Sequence, residues 1–132
     1  MKFTAKLLAF MLLALAAYAE PSQAFMSSDD FRRANVSIIS SASRAAQVAR
    51  LKQVPSVTVY RIRNQPRLLN SDNDPSELGV TAGKFQGGIA KLRSALSRNP
   101  VTRNALARKN VPVNRVVGVE IFSSGALRVY LW

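Results

Sequence analysis

Lys84, Lys91 and Arg98 recur at intervals of seven residues, with Arg93 beside them. Seven residues are close to two turns of an α-helix, so the three cations share one helical face. From such a face they could track the phosphates, sulfates or carboxylates of a polyanion. The same spacing is also what the solvated side of any amphipathic helix needs. Arg103, Arg108 and Lys109 extend the patch if the next helix lies alongside. A second cluster closes the chain, where Arg128, Tyr130 and Trp132 alternate along one face of a strand with Phe122 at its far end. Aromatic rings beside a cation can stack on sugars or bases, and the competing reading is that a helix covers this face. Lys84, Lys91, Arg93 and Arg98 are therefore the candidate polyanion-binding residues, and Arg128, Tyr130 and Trp132 the candidate interaction surface.

Much chemistry is excluded by composition. The chain has no His and no Cys. Ser-His-Asp and Cys-His nucleophiles and an imidazole general base are impossible, and ordinary zinc, haem and iron–sulfur ligation has no ligands. Beyond Glu20, the acids are Asp29, Asp30, Asp72, Asp74, Glu77 and Glu120. Asp72-Asn73-Asp74 with Glu77 touches the calcium-loop pattern but lacks its central Gly and its final Glu, and helix capping explains these residues better. Gly79 to Lys84 imitates a phosphate loop, yet too few residues separate the glycines and Phe85 stands where Ser or Thr must bind magnesium. The expectation is a non-enzyme with no cofactor and no metal.

The N-terminus carries an address. Lys2 and Lys6 precede an uncharged apolar run from Leu7 to Tyr18, and small residues follow at Ala17-Tyr18-Ala19 and Ser22-Gln23-Ala24. This reads as a signal peptide over residues 1–24, with cleavage after residue 19 as the alternative. The run falls short of the roughly 20 residues a bilayer span needs, so no transmembrane segment is expected after its removal. An exported domain without disulfides fits a bacterial periplasm or the surrounding medium. The full chain has 19 Lys+Arg against 7 Asp+Glu, a net charge of +12. The leader holds only Lys2, Lys6 and Glu20 of these, so the mature chain stays strongly basic. Expected partners are an acidic polymer, an anionic membrane surface or an envelope protein, while export argues against nucleic acid. An Arg-rich proteome would leave the same mark. The functional expectation is a small exported binding module for an acidic partner; the alternative is a protein–protein module, an inhibitor or assembly subunit, using the C-terminal hairpin.

The elements that must position these residues follow from periodicity. Asn114 to Phe122 and Ala126 to Trp132 are two runs of β-formers around Ser123-Ser124-Gly125. A three-residue loop with Gly125 in the left-handed region pairs Ile121 with Leu127, Val119 with Val129 and Val117 with Leu131 on one aliphatic face. It sets Glu120 opposite Arg128 and Gly118 opposite Tyr130 on the other face. Phe85, Ile89, Leu92 and Leu96 form one helical stripe, the natural cover for the aliphatic face. Residues 25–34 read as a flexible arm, and Val36-Ser37-Ile38-Ile39-Ser40 as a strand, because none of these residue types is a strong helix former. A helix capped at Ser41 or Ser43 follows, then a strand over 56–63 that would close a right-handed crossover. Asp74, Pro75 and Glu77 start a helix that the glycines should break near Gly79 and restart near Gly83. Asn99-Pro100 ends the next helix and begins another. The result is one α+β domain over residues 35–132, ordered β-α-β-α-α-β-β, with about four strands and helices on one face of the sheet.

Overall fold

The computed structural model describes residues 25–65 and 74–132. The signal peptide expected over residues 1–24 lies outside them, as do Asp72 and Asn73 of the calcium-like run. The protein is mixed α+β, with five α-helices and a three-stranded sheet among the described residues. The helices are α1 (Ser28–Ile39), α2 (Ser41–Ala49), α3 (Pro75–Lys84), α4 (Gln86–Arg98) and α5 (Pro100–Arg108). The strands are β1 (Val57–Arg61), β2 (Val116–Ile121) and β3 (Leu127–Leu131), in spatial order β1-β3-β2. β1 runs parallel to β3, and β2 runs antiparallel to it.

The hairpin forms as its turn chemistry requires. Ile121 pairs with Leu127, Val119 with Val129, Glu120 with Arg128 and Gly118 with Tyr130. The Phe122 amide donates to the Ala126 carbonyl at 3.0 Å, closing a loop of Ser123, Ser124 and Gly125. Gly125 has φ +89°, where a side chain would be strained, and a Cβ there would also lie 2.5 Å from the Gln53 carbonyl oxygen. One expected pair is corrected. Leu131 faces Val116 rather than Val117, because a β-bulge lies between Val116 and Gly118. The extra residue shifts the alternation by one, so that Val116 shares the aliphatic cluster with Val119 while Val117 joins the other cluster, with Tyr130 opposite Gly118.

The stretch read as an arm and a strand is a single helix. Ser27 and Asp30 form a reciprocal capping box at its start. Phe31, Ala34 and Ile38 then recur on one buried stripe, and that tertiary burial overrides the weak propensity of Val36, Ile38 and Ile39. With no strand there, the sheet has three strands and not four, and the expected crossover does not exist; β1 finds its parallel partner in β3.

The helices cover both faces of the sheet, not one. On the aliphatic face, Val116, Val119, Leu127, Val129 and Leu131 pack with Val48, Leu92, Leu96 and Leu106 from α2, α4 and α5. On the other, Tyr60, Tyr130 and Val117 pack with Phe31, Ala34 and Ile38 of α1, Leu78 of α3 and Ile89. The helical stripe thus does meet the hairpin through Leu92 and Leu96, while Ile89 and the half-buried Phe85 turn to the second cluster. Gly118 makes the second face possible, because a Cβ on it would sit 3.1 Å from the backbone of α1 at Ser37 and Ile38. Nor do the glycines break α3. It runs unbroken through Gly79 to Lys84, and Gly79 serves instead as a seat for the Trp132 indole, which a Cβ would meet at 2.6 Å.

Candidate functional site

The basic residues singled out in the sequence separate in space. Lys91 and Arg98 line a concavity of about 750 Å³, which opens between the C-terminal ends of α2 and α4. Two cations that the sequence reading did not choose, Arg50 and Lys52, complete its rim; Leu51, Ala95 and Pro100 supply apolar wall. No Asp or Glu lines it. Among the described residues, none of these four cations forms an ion pair with a carboxylate. All four are exposed.

The concavity exists because of Asn99. Its side-chain amide donates to the carbonyl of Val48 at 2.8 Å, which also accepts from the Leu51 amide at 3.1 Å, and to that of Leu51 at 2.9 Å, just past the end of α2. Its side-chain oxygen accepts from the Val101 amide at 3.0 Å and caps α5. One side chain therefore fixes the end of α2 against the α4–α5 corner, and that corner presents Arg50 and Lys52 across from Lys91 and Arg98. Further down, α2 and α4 approach closely at Gly88, where a Cβ would meet the Ser41 hydroxyl oxygen at 2.6 Å. The small inner face of α2 therefore makes its tightest approach to a helix, not to the sheet.

Lys84 and Arg93 lie elsewhere. Lys84 is exposed at the end of α3. The Arg93 Nε donates to the Val116 carbonyl at 2.8 Å, and partial burial holds its pKa below the usual arginine value. The Arg44 Nη1 donates to the Val119 carbonyl, also at 2.8 Å. Both acceptors belong to β2, an edge strand, so arginines occupy carbonyls that a further strand would otherwise seek. Arg103, Arg108 and Lys109 are exposed at or just beyond α5, and Pro100 is the α5 residue that reaches the concavity.

The face carrying Arg128 and Tyr130 is covered by α1. Tyr130 is fully buried, stacked on Tyr60 with ring centroids 5.7 Å apart. Burial pushes its phenol up to about 12, with the Arg128 hydrogen bond opposing and the nearby Glu120 charge adding to the rise. Arg128 pairs with Asp30 at 3.2 Å and lies over the rings of Tyr60 at 5.2 Å and Phe122 at 5.6 Å. Its guanidinium also stands 3.9 Å from Glu120, which reaches Arg33 at 3.5 Å. This network docks the first turn of α1 on the hairpin, so Arg128 and Tyr130 are not free to meet a partner. Trp132 is half-buried like Arg128, but it lies outside this network and stands between two concavities.

Among the described residues no group of three His, Cys, Asp or Glu comes together to hold a metal ion, and no helix is long and apolar enough to cross a membrane. Compared with protein-family models, with curated proteins and with solved structures, the chain matches none of them.

Proposed function

We propose that the protein is a non-catalytic binding module for an acidic polymer or anionic surface, and that Arg50, Lys52, Lys91 and Arg98 are its contact residues. The observation that supports this reading is the convergence of four unpaired cations on one concavity with no acid in its lining. Like charges held together raise the local potential and draw counterions, and a polyanion that displaces those counterions gains entropy. The apolar wall of Leu51, Ala95 and Pro100 admits the non-charged body of the same ligand. Export, as expected from residues 1–24, would place the module where acidic glycans and anionic lipid headgroups are the abundant polyanions.

The test is retention on heparin and on anionic vesicles across a salt series. Binding should weaken steeply as salt rises, and the double variant Lys91→Gln/Arg98→Gln should lose about half of the slope, in proportion to the charges removed. Retention that ignores salt, or a double variant with the parent slope, would refute the proposal. Lys84→Gln, remote from the concavity, serves as the matched control.

A further inference from the structure

A second concavity, about 250 Å³, lies at the end of the sheet where β1 and β3 both terminate and β2 begins. Three arginines converge on it: Arg61 from the last position of β1, Arg63 from the short turn after it, and Arg115 from the turn that enters β2. The Trp132 indole forms a wall, with Arg63 lying 6.0 Å from its ring centroid. The Trp132 amide donates to the Arg115 carbonyl at 3.0 Å, which fixes the indole relative to that arginine. Asn64 adds an amide to the lining, and among the described residues no Asp or Glu is part of it. Among the described residues none of the three guanidiniums is in an ion pair. Arg61 is partly buried, and Arg63 and Arg115 are exposed at the mouth.

We infer that this pocket binds a small acidic sugar, its carboxylate or phosphate held by Arg61, Arg63 and Arg115 and its ring set against Trp132. Guanidinium forks match the planar geometry of carboxylate and phosphate oxygens, and two or three together form a site for a single oxyanion. The volume lies below the roughly 300–1,000 Å³ typical of drug-sized ligands, which restricts the occupant to about one ring. An apolar indole wall beside convergent polar groups suits the C–H face of a pyranose, with Asn64 available to a hydroxyl. The site shares no residue with the cationic concavity between α2 and α4, so either assignment can fail without the other.

Trp132 is the single tryptophan of the chain, so its fluorescence reports on the surroundings of this one indole, and the Arg115 and Arg63 variants tie a change to this pocket rather than to the neighbouring one. Glucuronate and glucose 1-phosphate are titrated into the full chain, with glucose, inorganic phosphate and sodium chloride at matched ionic strength as comparisons. A saturable change with glucuronate, glucose 1-phosphate or both is expected, and which of them binds identifies the oxyanion. Arg115→Gln should weaken the apparent Kd about tenfold, the effect of losing one charge-assisted pair. Arg63→Gln, at an exposed position where folding is not at issue, should weaken it similarly. An equal response to glucose or to chloride would overturn the inference. So would inorganic phosphate binding as tightly as the sugars, or unchanged affinity in both variants. Retention on heparin should survive Arg115→Gln, which separates this outcome from failure of the α2–α4 site.

Discussion

Gly87 and Gly88 are neighbours in the first turn of α4, yet alanine should act on them in opposite directions. Alanine is favoured over glycine in a helix by about 0.8–1.0 kcal/mol at interior positions, and by less in a first turn. At Gly87 a Cβ meets nothing within 4 Å, so Gly87→Ala should keep that gain, about 0.5 kcal/mol of added stability. At Gly88 the same atom would lie 2.6 Å from the Ser41 hydroxyl oxygen and 3.1 Å from the Ala42 amide nitrogen. Overpacking of this kind typically costs about 1–3 kcal/mol, and half of it here presses on backbone that cannot rotate away. The net expectation for Gly88→Ala is a loss of about 1–2 kcal/mol. With a urea slope of about 1–3 kcal/mol per molar, the unfolding midpoint should fall by about 0.3–2 M while Gly87→Ala raises it slightly. The Ser41 hydroxyl is buried without a hydrogen-bond partner, so Ser41→Ala should be close to neutral alone. Combined with Gly88→Ala it should restore part of the loss, the remainder being the Ala42 contact. Urea unfolding followed by circular dichroism decides the matter. A Gly88→Ala protein as stable as Gly87→Ala would show that α2 and α4 do not approach at this point.

Two further substitutions address the cores on either side of the sheet. Leu92 is fully buried among the aliphatic hairpin residues, and Leu92→Asp should unfold the domain; truncating such a residue to Ala already costs about 2–5 kcal/mol, before a carboxylate is buried. A cooperative transition in that variant would contradict the packing. On the opposite face, Tyr130 carries a raised pKa, from 10.0 to about 12. The unfolded chain therefore releases this proton first. Its stabilising contribution is complete below pH 10 and declines as pH rises toward 12, so stability should fall across that window and Tyr130→Phe should flatten the fall. Equal slopes for the two proteins would show that the phenol is not shielded.

How much was legible in the sequence depended on whether the deciding contact was local. The hairpin register could be read because Gly125, the alternating aliphatic residues and the Glu120–Arg128 pair all agree on one loop length. Asn99 and Asp74 declared helix starts through chemistry confined to a few residues. Residues 28–39 were not legible in the same way. Their capping box used Asp30 rather than Glu or Gln, and the exposed Val36 and Ile39 obscured a stripe of Phe31, Ala34 and Ile38. The coverage of both sheet faces depended on Gly118 accepting the α1 backbone, a contact about eighty residues away in sequence. The site was half legible for a related reason. The seven-residue spacing found Lys91 and Arg98, but Arg50 and Lys52 join them only through the bridge that Asn99 makes to α2. Arg93 shares the sequence neighbourhood and not the function, because its donor is directed at the Val116 carbonyl.

Among the described residues the cations fall into three groups, and the fold decides which is which; Lys84, Arg103, Arg108 and Lys109 stand exposed outside both concavities. Arg33, Arg44, Arg93 and Arg128 are engaged: they pair with Asp29 and Glu120, take carbonyls of the edge strand β2, or hold the start of α1. Removing their charge would leave acceptors unmatched, so their presence is explained by structure alone. Arg50, Lys52, Lys91 and Arg98 in one concavity, and Arg61, Arg63 and Arg115 in another, have no such explanation. A composition that was merely basic would scatter such residues over the surface, where salt screens them from one another beyond about 8–10 Å. Gathering them raises the energy of the free protein through mutual repulsion, a cost that an anion bound among them removes. With helices on both faces of the sheet and arginines on carbonyls along β2, these two concavities are where the described residues gather their unpaired cations.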